Sequence, residues 1–522
     1  GQDIVTNGGD VYLAGGAGTT VPQGYADGST NAPGISFNYN SNISESFIIN
    51  TTKTGATGGN ITLKGKTSGN SDGIFTSNVQ FFGNNLILDG QTGDPAKYGV
   101  RLGSSAVYNG TNVSMVIDMD NDLTITAINT AANYAGNALR TGANPRIYAD
   151  GDITINSSGK LSYTSNQAFL NINPGKTLSI NFDGTASFTT SLGDPNGSID
   201  QGNLVIQSFQ QPSFTSAFSS SNWTFNNNLS GLTVGKETNT SSVTLAESTS
   251  IAGPISIYGG SIAVNAPLTA TNSTISITSS TSIIDGASGY LIADGLALNG
   301  AGTVTLDHTS NDINTIAAGS SSSPIGALSY TDADDLTIGT VNPTGIHSSG
   351  AIELATLSGD LELTEPIVST QATGDAIQLY ADKDATSGNE GDGNITITNN
   401  GLITVESGAR ALLYSGKESE STGVQTEVGG ESNTRTSVDA STDLSTVDPA
   451  LSATGKYGLF RVDNTIDIAT LTVEAIADQT YTGSAIEPTV VVKNGATTLV
   501  EDTDYTLSYT NNINVGTATV TV

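Results

Sequence analysis

Asp122-Leu-Thr-Ile-Thr126 is the stretch that decides the fold. A polar residue opens it, and apolar and uncharged polar side chains then alternate. The phrase returns as Asn60-Ile-Thr-Leu-Lys64, Asn85-Leu-Ile-Leu-Asp89, Asp152-Ile-Thr-Ile-Asn156 and Thr177-Leu-Ser-Ile-Asn181. Farther along it reads Gly302-Thr-Val-Thr-Leu306, Asp335-Leu-Thr-Ile-Gly339, Gly359-Asp-Leu-Glu-Leu363 and Asn394-Ile-Thr-Ile-Thr398. A period of two puts Leu, Ile and Val on one side of a strand and Thr, Ser and Asn on the other. Runs of about five residues are ordinary strands, and their recurrence every ~20–40 residues belongs to solenoids and propellers. The two-residue hairpins of an antiparallel blade do not join them, and short repeated aliphatics suit the stacking of like positions. Helical spacing is nearly missing; Ala127 to Arg140, the best window, is broken by an internal Gly. The chain is therefore predicted to be all-β: a long parallel, right-handed β-helix over residues 1–468, then a partial β-sandwich over 471–522.

Composition narrows the function. The 522 residues carry 17 Lys plus Arg against 49 Asp plus Glu, a net charge of 17 − 49 = −32. Nucleic acid and anionic membrane surfaces both call for clustered positive charge, so neither is an expected partner. Glu237 to Asp382 contains fifteen acids and no Lys or Arg, which argues against a phosphate groove there. Charged residues are only 13% of the chain, so its polarity comes from Ser, Thr and Asn. Cysteine is absent, which excludes disulfides and thiol chemistry and suits a bacterial exported protein. No apolar run reaches the ~18–20 residues that span a bilayer, and direct membrane insertion is not expected. Opening on Gly1-Gln2-Asp3 without Met suits a mature form after signal-peptide removal, or a trimmed chain.

Two interruptions stand out. Residues 207–228 gather Phe209, Phe214, Phe218, Trp223 and Phe225 among Ser and Asn, read first as an aromatic-rich loop that packs over the helix. The second reading of that loop is an aromatic glycan platform. Residues 417–453 are rich in Ser, Thr and Glu and poor in aliphatics, and are predicted to form a long mobile loop. Tyr457-Gly-Leu-Phe-Arg461 then completes the last coil, echoing Ile377-Gln-Leu-Tyr380 and Ala411-Leu-Leu-Tyr414. Composition shifts again at Leu471, where strands arrive every 8–12 residues with turns between them.

Ala477-Asp-Gln-Thr-Tyr-Thr-Gly483, Ile486-Glu-Pro-Thr-Val490 and Tyr509-Thr-Asn-Asn-Ile-Asn-Val-Gly-Thr517 resemble the tandem Ig-like repeats of large bacterial surface proteins. The last strand of that repeat and its Gly-Asn-Tyr turn are not in this stretch, so the natural protein is expected to continue. Gly231-Leu-Thr-Val-Gly235 with Ile251-Ala-Gly-Pro-Ile-Ser-Ile-Tyr-Gly-Gly260 is similar to repeats in giant adhesins of gliding flavobacteria. Asn299-Gly-Ala-Gly-Thr-Val-Thr-Leu306 with Asn311-Asp-Ile-Asn-Thr-Ile316 resembles the filamentous-haemagglutinin type of β-helix. These likenesses cover about half the chain. They imply a secreted protein of the bacterial cell surface, exported by the type IX route and partnered by outer-membrane secretion or motility machinery. They imply no particular ligand.

Chemical motifs are sparse. His308 and His347 sit in Thr/Ser/Asn turns and read as polar turn fillers rather than bases. No Gly-x-Ser-x-Gly elbow or phosphate loop occurs. Asp118-Met-Asp-Asn-Asp122 spaces three hard oxygen donors, Asp118, Asp120 and Asp122, as calcium would need. A polar turn entering a strand explains the same residues, because the Gly and terminal Glu of a full calcium loop are missing. Tyr25, Tyr39 and Trp223 are the candidate ligand-binding rings. The expected function is a non-enzymatic adhesin segment that meets extracellular surfaces or polysaccharides through loops on a rigid rod. The alternative is a β-helical polysaccharide lyase or hydrolase, whose carboxylates would have to converge across stacked coils. An ice-binding Thr array ranks behind both, because the spacing of its Thr-x-Thr triplets wanders.

Overall fold

The computed structural model describes residues 3–14, 25–28, 33–37, 47–67, 70–76, 79–103, 115–130, 137–141, 146–163, 173–188, 201–221, 223, 225, 227–389, 391, 393–399, 402–462, 468–502 and 504–522. The chain divides into two compact units, Gly1–Val462 and Asp463–Val522. Among the described residues no helix is long and apolar enough to cross a membrane.

The first unit is a parallel β-helix. One coil shows the plan: Val79–Gly83 lies on a first face, Leu86–Thr92 on a second and Val100–Leu102 on a third. The next coil lays Val116–Met119, Leu123–Asn129 and Asn137–Thr141 beside them, each pairing in parallel. Register puts Ile61, Leu86, Leu123, Ile153, Leu178 and Leu204 in one inward column. Each is at most 2% exposed, so the repeated apolar position after the opening polar residue is the core itself. Subtracting neighbours in that column gives coils of 25, 37, 30, 25 and 26 residues. The column continues through Leu232, Ile255, Ile275, Leu296, Ile316 and Ile338, where the last four steps are 20, 21, 20 and 22 residues.

The opening polar residue has its own task. Asp10 Oδ1 accepts the Asn60 N–H at 2.7 Å. Asn85 Oδ1 accepts the Asp122 N–H at 3.0 Å, Asp122 Oδ1 that of Asp152 at 2.9 Å, and Asp152 Oδ1 that of Thr177 at 2.8 Å. The same ladder reappears from Asp335 to Asp360 at 2.7 Å, from Asp360 to Asn394 at 2.7 Å, and from Asn394 to Lys417 at 2.9 Å. At a coil corner the backbone turns out of the sheet, and a short acceptor side chain satisfies the N–H that the ladder cannot. Within one coil the second and third faces approach closely, where a Cβ on Gly90 would stand 2.1 Å from the Gly99 oxygen. Only glycine fits there.

The two interruptions compare differently with their sequence readings. The described residues between 207 and 228 are part of the coil wall. Phe218–Ser219 is a strand paired with Val243–Leu245, and Phe214, Phe218 and Trp223 are at most 6% exposed. Phe214 stacks on Phe218 at 5.2 Å, and Trp223 lies 5.6 Å from Phe218. Asp183 anchors the entry by accepting the N–H groups of Phe209, Gln210 and Gln211. The first reading of these rings, as packing, matches this arrangement.

Residues 417–453 form a folded cover rather than a long loop. They contain the short helix Val424–Val428 and the strand Thr434–Thr436, which pairs with Gly455–Val462. Val424 is wholly buried against the end of the core, and Val438, Leu444, Val447 and Leu451 pack on Tyr380, Leu412, Tyr414, Tyr457 and Leu459. That cover explains why Ala411-Leu-Leu-Tyr414 loses its alternation: both sides of this strand are buried. Buried Arg461 ties the same end, donating to Ala381 O at 2.5 Å and Gly393 O at 2.8 Å.

Among its described residues the second unit has two antiparallel sheets. Thr472–Val473, Val492–Asn494 and Thr497–Thr498 form one, and Ser508–Thr510 with Thr519–Thr521 the other. Val490 and Val492 are its buried centre, and the Tyr505 and Tyr509 hydroxyls donate to Val490 O and Pro488 O, each at 2.7 Å.

Candidate functional site

The three aspartates suggested for calcium are placed differently from one another. Asp118 projects outward from the strand Val116–Met119, Asp120 is exposed at the following bend, and Asp122 belongs to the corner ladder, where its Oδ1 accepts the Asp152 N–H. Among the described residues no three carboxylates or imidazoles group as a metal site. The polar-turn reading accounts for Asp122.

The aromatic candidates also separate. Tyr39 lies outside the described residues. Trp223, expected as an exposed ring, is 3% exposed: its neighbours Phe182, Phe218 and Phe225 enclose it, and its apolar area is better spent in the core. Tyr25 is half-buried over the second face, where its hydroxyl donates to Asp89 Oδ2 at 2.6 Å and accepts from Gln91 Nε2. Burial and the Asp89 carboxylate push this phenol up to about 12, so it stays a donor. His308 donates its N–H to Asp285 Oδ2 at 2.9 Å and accepts the Ser310 N–H at Nδ1, as a turn residue does.

What the coil brings together was not singled out in the sequence. On the first face, register aligns Asn50, Phe82, Asp118 and Tyr148 on successive parallel strands. All four point away from the core: Phe82 and Asn50 are half-exposed, Asp118 is exposed, and Tyr148 is 36% exposed. Phe81, one residue earlier, is wholly buried. Phe82 and Tyr148 are two strands apart, about 9–10 Å at the usual strand spacing, with the Asp118 carboxylate between them. Partial burial, then the charges of Asp120 and Asp150, push the Asp118 carboxyl up. An acceptor among like charges favours neutral hydroxyl donors over anions. The available signal in the sequence was a large ring at the polar phase of a strand, as at Phe82 and Tyr148.

The second face carries uncharged polar side chains over the coils of Asp118 and Tyr148 and the coil after them. Thr126, Asn156 and Asn181 follow one another in register, with Asn156 Nδ2 donating to Thr126 Oγ1 at 3.2 Å and Asn181 Nδ2 to Asn156 Oδ1 at 2.8 Å. The side chain whose protonation is most displaced among the carboxylates, Asp332, is enclosed in the core and beyond a polymer's reach. No family model, curated protein or solved structure matches this chain.

Proposed function

We propose that this chain is a non-enzymatic adhesin segment of a bacterial cell surface that holds neutral polysaccharide on its β-helix. The observation that carries this reading is the outward row Phe82–Asp118–Tyr148. Two rings a double strand spacing apart present flat apolar area at small entropic cost, and the carboxylate between them accepts hydroxyl donors. The spacing is close to that of alternate pyranose rings in a β-linked glucan. Secretion and a surface location draw support from the absence of cysteine, the low charge content and the likeness to surface adhesins. A rigid sheet face takes the place of the loops expected to bind.

The test is retention on neutral β-linked glucan at low and high ionic strength. Phe82→Ala with Tyr148→Ala should lower retention at least about tenfold, since each ring is an anchor worth on the order of 1 kcal/mol. The wild type should change little with salt, because no ion pair is made to the ligand. Unaltered retention by the double variant would refute the proposal.

A further inference from the structure

The third face carries an arrangement of a different kind. Register sets Ser36, Phe75, Arg101, Arg140 and Ser162 on successive parallel strands, all on the outward phase. Arg101 and Arg140 are thus directly opposite one another on neighbouring strands, about 4.8 Å apart along the stack. Like charges in that relation repel. A sheet rich in Thr and Ser has many cheaper residues for the position.

Each guanidinium is laid on a ring. The Arg101 guanidinium carbon lies 5.1 Å from the centre of Phe75, and that of Arg140 lies 5.9 Å from the centre of Tyr98. A guanidinium held over a ring is pre-placed, and less rotamer freedom is lost when an oxyanion binds it. Tyr98 is itself fixed: its N–H donates to Asp72 Oδ1 at 2.9 Å, and its carbonyl accepts the Gly73 N–H at 2.9 Å. Asp72 is the acid that meets this pair among the described residues, and it meets Arg101 at 3.9 Å, beyond hydrogen-bond range. Burial pushes the Asp72 carboxyl up, against the Tyr98 N–H, Arg101 and Lys97, which hold it down. Asp72 therefore serves the turn first and leaves the two guanidiniums with a surplus of positive charge.

The charge map of the chain points the same way. Residues 1–180 carry nine Lys or Arg and twelve Asp or Glu, a balance of 9 − 12 = −3. The remaining residues carry eight and thirty-seven, a balance of 8 − 37 = −29. The coils that bear Arg101 and Arg140 are the part of the protein an anion can approach.

We infer that Arg101 and Arg140, preorganised on Phe75 and Tyr98, form a site for the carboxylate or sulfate group of an acidic saccharide. Two forked guanidiniums side by side suit the two or three oxygens of such a group. A polyanion as dense as DNA is disfavoured by the charge of the rest of the chain. This site is separate from the Phe82–Asp118–Tyr148 row and does not depend on it.

The experiment is calorimetric titration of the whole chain with oligogalacturonate, with its carboxyl-reduced neutral counterpart, with a sulfated oligosaccharide and with inorganic sulfate. The variants are Arg140→Met alone and Arg101→Met with Arg140→Met, which keep the aliphatic stems. An acidic oligosaccharide should bind and its neutral counterpart should bind at least about tenfold more weakly. Each guanidinium removed should cost about tenfold, and wild-type affinity should fall steeply with salt. Whichever acidic oligosaccharide binds more tightly identifies the group. Unchanged melting temperature and unchanged retention on neutral glucan show that the variants are folded, and Arg140→Met serves if the double variant is not. Equal binding by variant and wild type, no binding of either acidic oligosaccharide, or inorganic sulfate binding as tightly as the oligosaccharides would each overturn the inference. Loss of neutral retention in Phe82→Ala with Tyr148→Ala, while acidic binding persists, separates this site from the adhesive row.

Discussion

At the scale of single residues, Asp332 is the group whose environment has the clearest consequence. It is wholly enclosed, and its Oδ2 accepts the equally buried Tyr330 hydroxyl at 2.5 Å and the Ile313 N–H at 3.0 Å. The Asp334 N–H reaches Oδ1 at 3.2 Å. Burial pushes the carboxyl up from 3.8 to about 7, with these donors only partly opposing it. The folded state thus holds the Asp332 proton more tightly than the unfolded one. Its contribution to stability is complete below about pH 4 and is lost as pH rises through about 7. A carboxyl displaced that far is worth on the order of 4 kcal/mol. Asp439 runs the other way: burial pulls it up, but the Ser387 and Ser441 N–H groups and the Ser441 and Thr442 hydroxyls outweigh that and hold it at about 2. Its contribution is lost only as pH falls below about 4. We expect the melting temperature to fall between roughly pH 5 and pH 8, and Asp332→Asn to flatten that slope by keeping an acceptor at the Oδ2 place. A variant with the wild-type slope would show that another group sets the pH response.

At the scale of elements, the cover formed by residues 417–453 protects the end of the coil stack. An unpaired strand edge is a template for pairing with another chain. Glu427, on the short helix Val424–Val428, answers this directly. Its Oε1 accepts the Ile403 N–H at 3.1 Å and its Oε2 the Leu402 N–H at 3.2 Å, while Lys456 Nζ reaches Oε1 at 2.6 Å. Glu427→Ala leaves two enclosed N–H groups without an acceptor, at about 1–3 kcal/mol each. In a repeat stack, loss at one end spreads only to its neighbours. Amide exchange over residues 395–417 should therefore quicken while the column from Ile61 to Leu204 keeps its protection. The variant should also self-associate at lower concentration. Uniform loss of protection along the stack would contradict this division into end and middle.

At the scale of the whole molecule, the net charge of −32 acts against compactness. Because −29 of it lies beyond residue 180, self-repulsion is concentrated in the later coils and the second unit. Raising monovalent salt from low to physiological strength should raise the melting temperature, with the gain centred on those parts, since screening within about 8–10 Å reaches neighbouring coils. A salt-independent melting curve would mean that the acids are already neutralised by close partners.

The sequence by itself determined the fold class, because its determinants are local. Alternation within five residues selects a strand, and the Asn or Asp at the mouth of strands such as Leu123–Asn129 and Ile153–Ser157 is both a turn residue and the acceptor that caps the next coil. Asp122 carried both a ligand reading and a turn reading in the sequence, and the corner ladder accounts for the second. The neighbours across coils were decided by the tertiary structure alone. Phe82, Asp118 and Tyr148 form one row only after coils of 36 and 30 residues have closed, and Arg101 meets Arg140 across 39 positions. Since coil length changes from turn to turn, sequence spacing carries no register, and the inward or outward phase of a ring says nothing of what stands beside it. The aliphatic poverty of residues 417–453 likewise described a loop. Its few valines and leucines bury only because the end of the coil stack offers them a surface, and that surface exists only once the coils below it are built.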